Sequence, residues 1–491
     1  MSVTHLLVAN RGEIARRILR TARRMGLTTT AVYHFADRGA PHVREADHAV
    51  ELLAEIPTQA YLDIPQLLAA ARSTGANAIH PGYGFLAENA RFAAAVEDAG
   101  LVFVGPQPDV IDLMGDKLKA RAFAIQHEVP VAPSCTQDGS LEDFVRGASE
   151  IGFPLLIKAA AGGGGKGMSI VRNAGELAAR AELAAAEALR YFADARIYAE
   201  RYVERPRHIE VQVLGDGTGK VIHLFERECS IQRRFQKIVE ESPAPSLPGS
   251  TREALCAAAV RLSAAARYRN AGTVEFILAP DGAFYFLEMN TRLQVEHPVT
   301  EAVTGLDLVE AQIRIARGEP LWLDQSDVRL AGHAMECRVC AEQPEEDFRP
   351  ATGTLRALRE ARGEGIRVDS GLCSGQTISA AFDSMLAKVI AHGRDREEAV
   401  QRLADALRDT VILGVDTNVD YLGRILAHPM FLSGVLHTGF VVEHAATLAR
   451  PAPSGEARIA ALVAAALGDE RLQQLIREVP DLHAAMGAWR N

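Results

Sequence analysis

Polar side chains that could do chemistry alternate along the segment FYFLEMNTRLQVEHPVTE. If this segment is extended, successive side chains point to opposite faces, and one face carries Glu288, Asn290, Arg292, Gln294 and Glu296. The first two offer oxygen ligands that suit Mg²⁺, which takes one or two carboxylates together with phosphate oxygens. Arg292 and Gln294 suit a small planar oxyanion, and Glu296 could then act as a base. A half-exposed strand would show the same alternation, so a structural interpretation stays open.

Glu275 lies in the apolar run AGTVEFIL, which is followed by the turn APDGA and the return run FYFLE. Antiparallel pairing of the two runs would place Glu275 beside Glu288. Two close carboxylates repel each other unless a cation lies between them. The hairpin therefore predicts a divalent cation between the two glutamates, and a structural partner for Glu275 is the alternative.

The segment PLLIKAAAGGGGKGMSIV contains four consecutive glycines between Lys158 and Lys166. Glycine has no Cβ, so backbone N–H groups can approach an anion closely. Lys166 is followed by Gly-Met, which differs from a Walker A loop. The strand–loop–strand context predicts a flexible flap that closes over a triphosphate, and a surface hairpin is the alternative.

Two further segments concentrate charged groups. The segment ERPRHIEVQVLGD alternates His208, Glu210 and Gln212 along a predicted strand. A lone histidine is often structural, but its place beside the basic segment SIQRRFQKIVEES favours a functional role. That basic segment contains Arg233, Arg234 and Lys237. It could bind a nucleic acid, face a phosphorylated small molecule, or only cover a solvated surface.

Several secondary-structure elements must position these groups. Residues 1–113 alternate apolar runs with helical patterns, which predicts a Rossmann-like parallel sheet with covered faces. Residues 114–332 carry most of the motifs described above. Residues 333–447 show shorter strands and turns with one helix, which indicates a mainly β unit. Residues 448–491 contain a proline-rich linker and an Ala/Leu-rich helix, and we expect them to begin a further, truncated domain.

Composition excludes some classes of function. The chain has 491 residues, with 53 Lys and Arg against 63 Asp and Glu, and a formal net charge of −10. Nonspecific binding of nucleic acids or membranes relies on excess positive charge, so neither partner is expected. No stretch approaches the ~18 uncharged apolar residues of a spanning helix. Six scattered cysteines indicate a reducing compartment, so the predicted location is the cytoplasm, with a cleaved transit peptide as the alternative.

Cys337 and Cys340 form a C-x-x-C pair in GHAMECRVCAE. The stretch has the pattern of a strand, on which residues i and i+3 point to opposite faces. No second cysteine pair occurs at zinc spacing. The pair is therefore interpreted as structural.

From residue 3 to about 447 the chain closely resembles biotin carboxylase, an ATP-grasp enzyme module of biotin-dependent acyl-CoA carboxylases. The resemblance rests on the motifs VANRGEIA, HPGYGFLAEN, FVGP, MGDK, KAAAGGGGKGM, RPRHIEVQVLGD, ECSIQRR, QKIVEE, AGTVEF and FLEMNTRLQVEHPVTE. It implies a Rossmann-like N-terminal sheet, a central ATP-grasp domain with a mobile lid over about 131–203, and a mainly β C-terminal domain. The implied reaction is ATP- and bicarbonate-dependent carboxylation of biotin N1 through carboxyphosphate, with Mg²⁺ or Mn²⁺.

The resemblance also implies roles for individual residues. The residues that it places around ATP are Lys117, Lys158, Gly164, Gly165, Glu200, Val203, His208 and Gln232. It assigns Glu275, Glu288 and Asn290 to the metal. The bicarbonate site comprises Lys237, Arg292, Gln294 and Val295. Glu296 is implied to deprotonate bicarbonate, and Arg338 to stabilise the biotin enolate. In this interpretation Arg233 and Arg234 join Lys237 in a wall that handles phosphate and bicarbonate.

The chain departs from the family pattern at two places. Phe235 stands where the family usually has histidine, which puts one polar contact at the phosphate end in doubt. Ala381-Phe382-Asp383 replaces the family's Tyr-Tyr-Asp, and we expect an effect on packing or subunit contacts. Two alternative functions stay open. One is a weakened paralogue that binds nucleotide and scaffolds a complex, and the other is an ATP-grasp ligase of the carbamoyl-phosphate type.

The resemblance finally implies partners. No Met-Lys-Met biotinylation motif occurs in the chain. Biotin is therefore expected on a biotin carboxyl carrier domain, with a carboxyltransferase subunit as the second partner. A homodimer or a larger hetero-oligomer is the expected assembly. Choice of the final acyl-CoA belongs to the carboxyltransferase.

Overall fold

The N-terminal part forms a five-stranded parallel sheet in the order β3-β2-β1-β4-β5. Its strands are β1 His5–Val8, β2 Thr28–His34, β3 His48–Leu52, β4 Ala78–His80 and β5 Val102–Phe103. The helices around it are α1 Gly12–Arg24, α2 Pro41–Glu45, α3 Pro57–Ala60, α4 Ile64–Thr74, α5 Ala90–Asp98 and α6 Pro108–Gly115. Helix α1 buries Ile14, Ile18 and Ala22, as their helical spacing predicts. The parallel sheet predicted from the alternating pattern is confirmed.

These coordinates come from a computed structural model that describes residues 3–137, 139–160, 168–192, 194–452, 454–468 and 474. Gly164 and Gly165, which the resemblance places around ATP, lie outside the described residues, as does Lys166. No helix in the described ranges has the length and hydropathy needed to cross a bilayer.

A small antiparallel sheet occupies the segment for which a lid is expected. It contains β6 Ser134–Thr136, β7 Leu155–Ala159, β8 Ser169–Val171 and β9 Ile197–Arg201, in the order β6-β9-β7-β8. Helix α7 Lys117–Gln126 precedes it, and α8 Leu141–Ile151 and α9 Ala174–Phe192 pack on it. The strands β7 and β8 are register partners, as the apolar runs on each side of the glycines predict.

An eight-stranded antiparallel sheet carries most of the predicted site residues. Its strands are β10 Arg207–Asp216, β11 Val221–Arg233, β12 Gln236–Ser242, β13 Arg269–Leu278, β14 Phe284–Asn290, β15 His333–Cys340, β20 Ile366–Ser370 and β22 Met385–Gly393. The order is β14-β13-β10-β11-β12-β15-β22-β20. Helices α10 Gly249–Ala265, α11 His297–Thr304 and α12 Leu308–Ala316 accompany it. Because β12 pairs with β15, the central and C-terminal segments share one sheet.

Short strands complete the C-terminal part. They are β16 Glu342–Gln343, β17 Arg349–Pro350, β18 Gly353–Thr354, β19 Ala357–Arg359, β21 Thr377–Ile378 and β23 Val411–Leu413. The helices are α13 Arg396–Asp409, α14 Val419–Leu426, α15 Pro429–Leu432, α16 Phe440–Glu443 and α17 Ala445–Leu448. Helices α13 and α14 cover β15 and β22 with an apolar core. The predicted mainly β character is confirmed, and α13 is the predicted helix, but the four shorter helices α14 to α17 were not predicted.

The chain divides into one unit at residues 1–448 and a second at residues 449–491. Within the described residues of the second unit, α18 Gly455–Gly468 forms the helix that the Ala/Leu-rich pattern predicts.

Candidate active site

A cavity of about 790 Å³ opens beside the eight-stranded sheet, and we call it the central cavity. This volume is in the usual range for a small-molecule site. All fifteen described residues that the resemblance assigns to ATP, the metal, bicarbonate, the base or the enolate line it, namely Lys117, Lys158, Glu200, Val203, His208, Gln232, Lys237, Glu275, Glu288, Asn290, Arg292, Gln294, Val295, Glu296 and Arg338. Residues far apart in the sequence are thus brought into one place by the eight-stranded sheet, the small four-stranded sheet and the start of α7.

Three carboxylates lie in a row across neighbouring strands. Glu210 on β10 is the register partner of Glu275 on β13, and Glu275 is the partner of Glu288 on β14. Side chains at such positions have Cβ atoms about 4.5–5.5 Å apart. The predicted hairpin that brings Glu275 beside Glu288 is therefore confirmed.

Lys237 neutralises part of this row. Its ammonium group lies 2.8 Å from Glu275 Oε1 and 2.7 Å from Glu296 Oε1, and it also contacts Glu210. Glu210 is buried and additionally accepts from Arg227 Nε at 2.5 Å. Sequence reasoning did not assign Glu210 to the site, although its alternation with His208 along β10 carried the signal. Lys237 is thus the shared cation of three buried carboxylates, Glu210, Glu275 and Glu296.

Glu296 is held in its ionised form. Burial opposes ionisation, but Lys237, Arg338 and Arg227 outweigh it and hold the pKa of the carboxyl well below its usual value. Arg338 Nη2 donates to Glu296 Oε2 at 3.0 Å. An ionised carboxylate at the cavity wall has the protonation state that a general base requires.

Glu275, Glu288 and Asn290 fit a divalent cation. Burial and then the charge of Glu275 raise the pKa of the Glu288 carboxyl. For Glu275 the effect of burial is outweighed by Lys237 and His208, which lower the pKa. A cation between two such carboxylates would compensate their charge, and the Asn290 amide oxygen adds a ligand of the type that Mg²⁺ accepts. The donor set therefore suits Mg²⁺ or Mn²⁺.

The segment 291–296 is not an extended strand, so that sequence prediction is wrong. Strand β14 ends at Asn290, and the chain continues irregularly to α11. The polar side chains nevertheless converge, because Arg292 donates to Gln294 Oε1 at 2.6 Å and to Asn290 Oδ1 at 2.9 Å. Arg292 Nε also donates to Glu88 Oε2 at 2.8 Å. Hydrogen bonds of Arg292, and not the alternation of a strand, therefore hold these side chains close together.

The other end of the cavity carries two lysines and a histidine. Lys158 forms an ion pair with Glu200 at 2.5 Å, and burial lowers the pKa of Lys117. His208 contacts Gln232 through Nδ1 at 3.0 Å and Glu275 through Nε2 at 2.9 Å. Two cations beside the metal-ligand set suit a polyphosphate.

The three basic residues of the segment SIQRRFQKIVEES do not all line the cavity. Arg233 lines the cavity, and its guanidinium pairs with Glu342. Arg234 is exposed, pairs with Asp347 and does not line the cavity. The expectation that all three basic residues form one anion-binding wall is therefore wrong for Arg234, because the turn directs it away from the cavity.

Phe235 lies at the tip of the β11–β12 hairpin. Arg233 and Gln236 are register partners, and the two residues between them, Arg234 and Phe235, have φ of +47° and +66°. A two-residue turn with positive φ at both positions matches the twist of the flanking strands. The Phe235 side chain is 61% exposed and lines the cavity, so an apolar ring faces the site.

The second departure from the family pattern affects packing. The Phe382 ring lies under the Arg11 guanidinium at 3.8 Å and meets Tyr61 edge-on. Arg11 in turn pairs with Asp37 at 2.6 Å. Phe382 also lines the cavity, so the replacement shapes the cavity wall.

The C-x-x-C pair behaves as predicted. Both cysteines lie on β15 and are buried. Cys337 packs in the apolar core under α13, whereas Cys340 lines the cavity. Burial raises the pKa of both thiols, which supports the structural interpretation.

Comparisons with known proteins agree with this geometry. Family models match in three successive segments: the biotin carboxylase N-terminal domain at residues 2–111, the carbamoyl-phosphate synthase L chain ATP-binding domain at 116–323, and the biotin carboxylase C-terminal domain at 336–443. Biotin carboxylase of Nostoc sp. is 48% identical over 446 residues, which cover 90% of this chain and 99% of that protein.

A second relative extends further along the chain. The mitochondrial methylcrotonoyl-CoA carboxylase subunit alpha of Dictyostelium discoideum is 42% identical over 492 residues, covering 99% of this chain and 70% of that protein. Among solved structures, the biotin carboxylase domain dimer of Hydrogenobacter thermophilus 2-oxoglutarate carboxylase, in complex with MgADP, ADP and bicarbonate, matches with a TM-score of 0.89 and 43% identity. That match covers 92% of this chain and all of the solved chain. The chain belongs to the biotin carboxylase family.

Proposed function

We propose that this chain carboxylates biotin on a carrier domain, using ATP and bicarbonate, as the first half-reaction of an acyl-CoA carboxylase. The observation that carries the proposal is the single hydrogen-bonded cluster of Lys237, Glu296 and Arg338 beside the candidate metal ligands. The relatives carry out or take part in the same chemistry according to their names.

The first step is attack of bicarbonate on the γ-phosphate of ATP. Lys237, Arg292, Gln294 and Val295 hold the anion, and Glu296 takes its proton. ADP leaves with the electrons of the broken P–O bond. Mg²⁺ held by Glu275, Glu288 and Asn290 would supply neutralisation of the phosphate charge. Lys117 and Lys158 add positive charge at the same end, because phosphoryl transfer depends mainly on positioning and electrostatic stabilisation.

The second step uses the carboxyphosphate made in the first. It releases CO₂, and the remaining phosphate takes the proton from biotin N1. Arg338 stabilises the resulting enolate, which then attacks CO₂ to form carboxybiotin. Exclusion of water protects the intermediate.

Some relatives are subunits of carboxylases, and one solved relative is a dimer. These findings support an assembly with further subunits or domains, without identifying them. We propose a carrier domain and a carboxyltransferase subunit as partners, a homodimer or larger hetero-oligomer, and the cytoplasm as location. The match of the Dictyostelium subunit beyond residue 448 supports an acyl-CoA carboxylase α-subunit. The proposed domains are 1–113, 114–332, 333–447 and the extension 448–491.

The test is release of ADP from ATP by the purified chain. We expect release that depends on bicarbonate and rises when free biotin is added. A carbamoyl-phosphate-type ligase, suggested by the description of the 116–323 family model, would instead respond to ammonia. Stimulation by ammonia without stimulation by biotin would contradict the proposal.

Replacing Phe235 with histidine tests the scaffold alternative. We expect the natural chain to turn over already, and Phe235→His to lower the KM for ATP by about tenfold or more, because a hydrogen bond to a charged phosphate contributes about 1.5–3 kcal/mol. Steady-state kinetics with varied ATP measure this change. Arg234→His, in the same turn but directed away from the cavity, should leave the KM unchanged. Near-zero turnover that only Phe235→His restores would favour the scaffold.

A further inference from the structure

A buried pair of carboxyl groups lies behind Arg338. Glu240 on β12 and Glu336 on β15 are direct partners in the antiparallel register. Both side chains have no exposed surface, and neither lines the central cavity. Partners in register have Cβ atoms about 4.5–5.5 Å apart, and two carboxyls at this separation do not both ionise readily in a buried place.

Arg338 connects this pair to the proposed base. Its Nε donates to Glu240 Oε1 at 2.6 Å, and its Nη2 donates to Glu296 Oε2 at 3.0 Å. The guanidinium is therefore held from one side by Glu240 and from the other by Glu296. Since Arg338 also lines the cavity, the charge of Glu240 affects how firmly Arg338 is oriented toward a substrate.

The two carboxyl groups differ in their hydrogen bonds and in the pKa that their surroundings give them. Both oxygens of Glu336 lack a hydrogen-bond partner, whereas Glu240 lacks one only at Oε2. An ionised carboxylate without donors is very costly in a buried place. Burial and the charge of Glu240 raise the pKa of Glu336 well above its usual value, against the opposing effects of Lys388 and Arg338. Burial raises the pKa of Glu240 to about 7, although Arg338 opposes the shift.

Other charged and titratable groups face the pair from every neighbouring element. They are Arg338 and Cys337 on β15, Lys237 on β12, Cys229 on β11, Lys388 on β22, Glu296 before α11 and Tyr83 after β4. Arg338, Lys237 and Lys388 favour ionisation of the pair, and Glu296 opposes it. Burial keeps Tyr83 and both thiols neutral by raising their pKa. Ionisation of one member of the pair is thus compensated, but ionisation of both is not.

We propose that Glu240 and Glu336 act as a positioning pair for Arg338, in which Glu240 carries the charge that orients the guanidinium and Glu336 remains a neutral acid. The proposal rests on the proposed function only for the identity of the substrate that Arg338 meets. Neither residue touches that substrate, so both act through Arg338.

The direction in which the KM for biotin changes with pH follows from the ionisation of Glu240. Below about pH 7 Glu240 is protonated. Its neutral carboxyl can still accept from Arg338, but Glu296 is then the one of the two that holds Arg338 by charge. Above this pH Glu240 is ionised and holds Arg338 through a charge-assisted hydrogen bond. The KM for biotin should therefore fall as the pH rises through about 7.

Glu240→Gln tests the orienting charge. Glutamine preserves the shape of the side chain but stays neutral at every pH. We expect the KM for free biotin above pH 7 to rise about tenfold or more, because a hydrogen bond to a charged group contributes about 1.5–3 kcal/mol. The step near pH 7 should disappear, while the KM for ATP is unchanged. An unchanged biotin KM and an unchanged pH profile would overturn the proposal.

Glu336→Gln tests the neutral acid without any turnover. The carbonyl stretch of a protonated carboxylic acid is followed by infrared spectroscopy between pH 6 and pH 9. Burial also raises the pKa of Glu13, Glu228 and Glu288, so the signal is the difference between the spectra of the natural chain and of Glu336→Gln. We expect this difference to contain one carboxylic-acid band above pH 7. Absence of such a band from the difference would overturn the proposal.

Glu241→Gln is the matched control for both measurements. Glu241 is the next residue on β12, is equally buried, and pairs on the opposite face with His333 at 2.7 Å and Arg396 at 2.8 Å. This variant should keep the infrared band and the biotin KM of the natural chain. Because the infrared result needs no reaction, absent turnover would contradict the proposed function and leave the test of the pair intact.

Discussion

Replacing Glu296 with glutamine is expected to abolish bicarbonate-dependent turnover while ATP binding persists. Glu296 is fully buried, and its carboxylate contacts Lys237 at 2.7 Å and Arg338 at 3.0 Å. Glutamine keeps the size of the side chain but cannot take a proton. Loss of a general base typically lowers the rate by about 10²–10⁴-fold. The rate of ADP release at saturating bicarbonate should therefore fall by about 10²-fold or more.

The measurement pairs kinetics with calorimetric titration of ATP. Glu301→Gln provides the control, since Glu301 is a buried glutamate on α11 that pairs with Arg17 at 2.6 Å and Arg367 at 2.7 Å but does not line the cavity. It should retain turnover. Equal turnover in Glu296→Gln and the natural chain would exclude the role of base. A joint loss of ATP binding would show that Glu296 instead maintains the site as a whole.

The sequence predicted those parts of the site that depend on local pairing. The turn between two apolar runs was sufficient to place Glu275 beside Glu288, because a hairpin fixes its own register. The five polar residues that alternate from Glu288 to Glu296 all line the cavity, but the extended strand from which they were predicted is only partly present. The alternation continues past the end of β14, where hydrogen bonds of Arg292 gather the side chains instead.

Contacts between distant strands could not be predicted from spacing alone. Lys237 on β12 reaches Glu210 on β10 across the intervening strand β11, and it reaches Glu275 on β13 because β13 pairs with β10 outside the sequential order. The same limitation applies to the acid pair behind Arg338, since Glu240 and Glu336 meet only where β12 pairs with β15. Motif resemblance assigned roles to Lys237 and Glu275 but not to Glu210 or the acid pair, and the sheet explains why Glu210 lies beside Lys237.

Replacing Lys237 with methionine is expected to destabilise the folded protein strongly and to remove bicarbonate-dependent turnover. The methionine side chain has a similar length but no charge, so three buried carboxylates lose their shared cation. Removing one partner of a buried ion pair typically costs about 3–5 kcal/mol. The free energy of unfolding in urea at pH 7, without added Mg²⁺, should fall by about this amount. Lys220→Met is the control, because Lys220 pairs with Asp324 at 2.7 Å at an exposed site and such pairs contribute at most about 1 kcal/mol.

The pH dependence distinguishes this loss of charge from a simple packing defect. In the natural chain, burial opposes ionisation of Glu275 and Glu296, but Lys237 and its neighbours lower the pKa of both. A carboxyl whose pKa is lowered by folding stabilises the protein above its unfolded pKa of about 4.3, and this stabilisation is lost as the pH falls toward the folded pKa. Lys237→Met reduces that lowering, so the difference in unfolding free energy between the variant and the natural chain should stay constant from pH 7 to about pH 4.3 and narrow as the pH falls below about 4.3. A packing defect would leave the difference constant below about pH 4.3 as well, and that result would exclude the electrostatic role of Lys237.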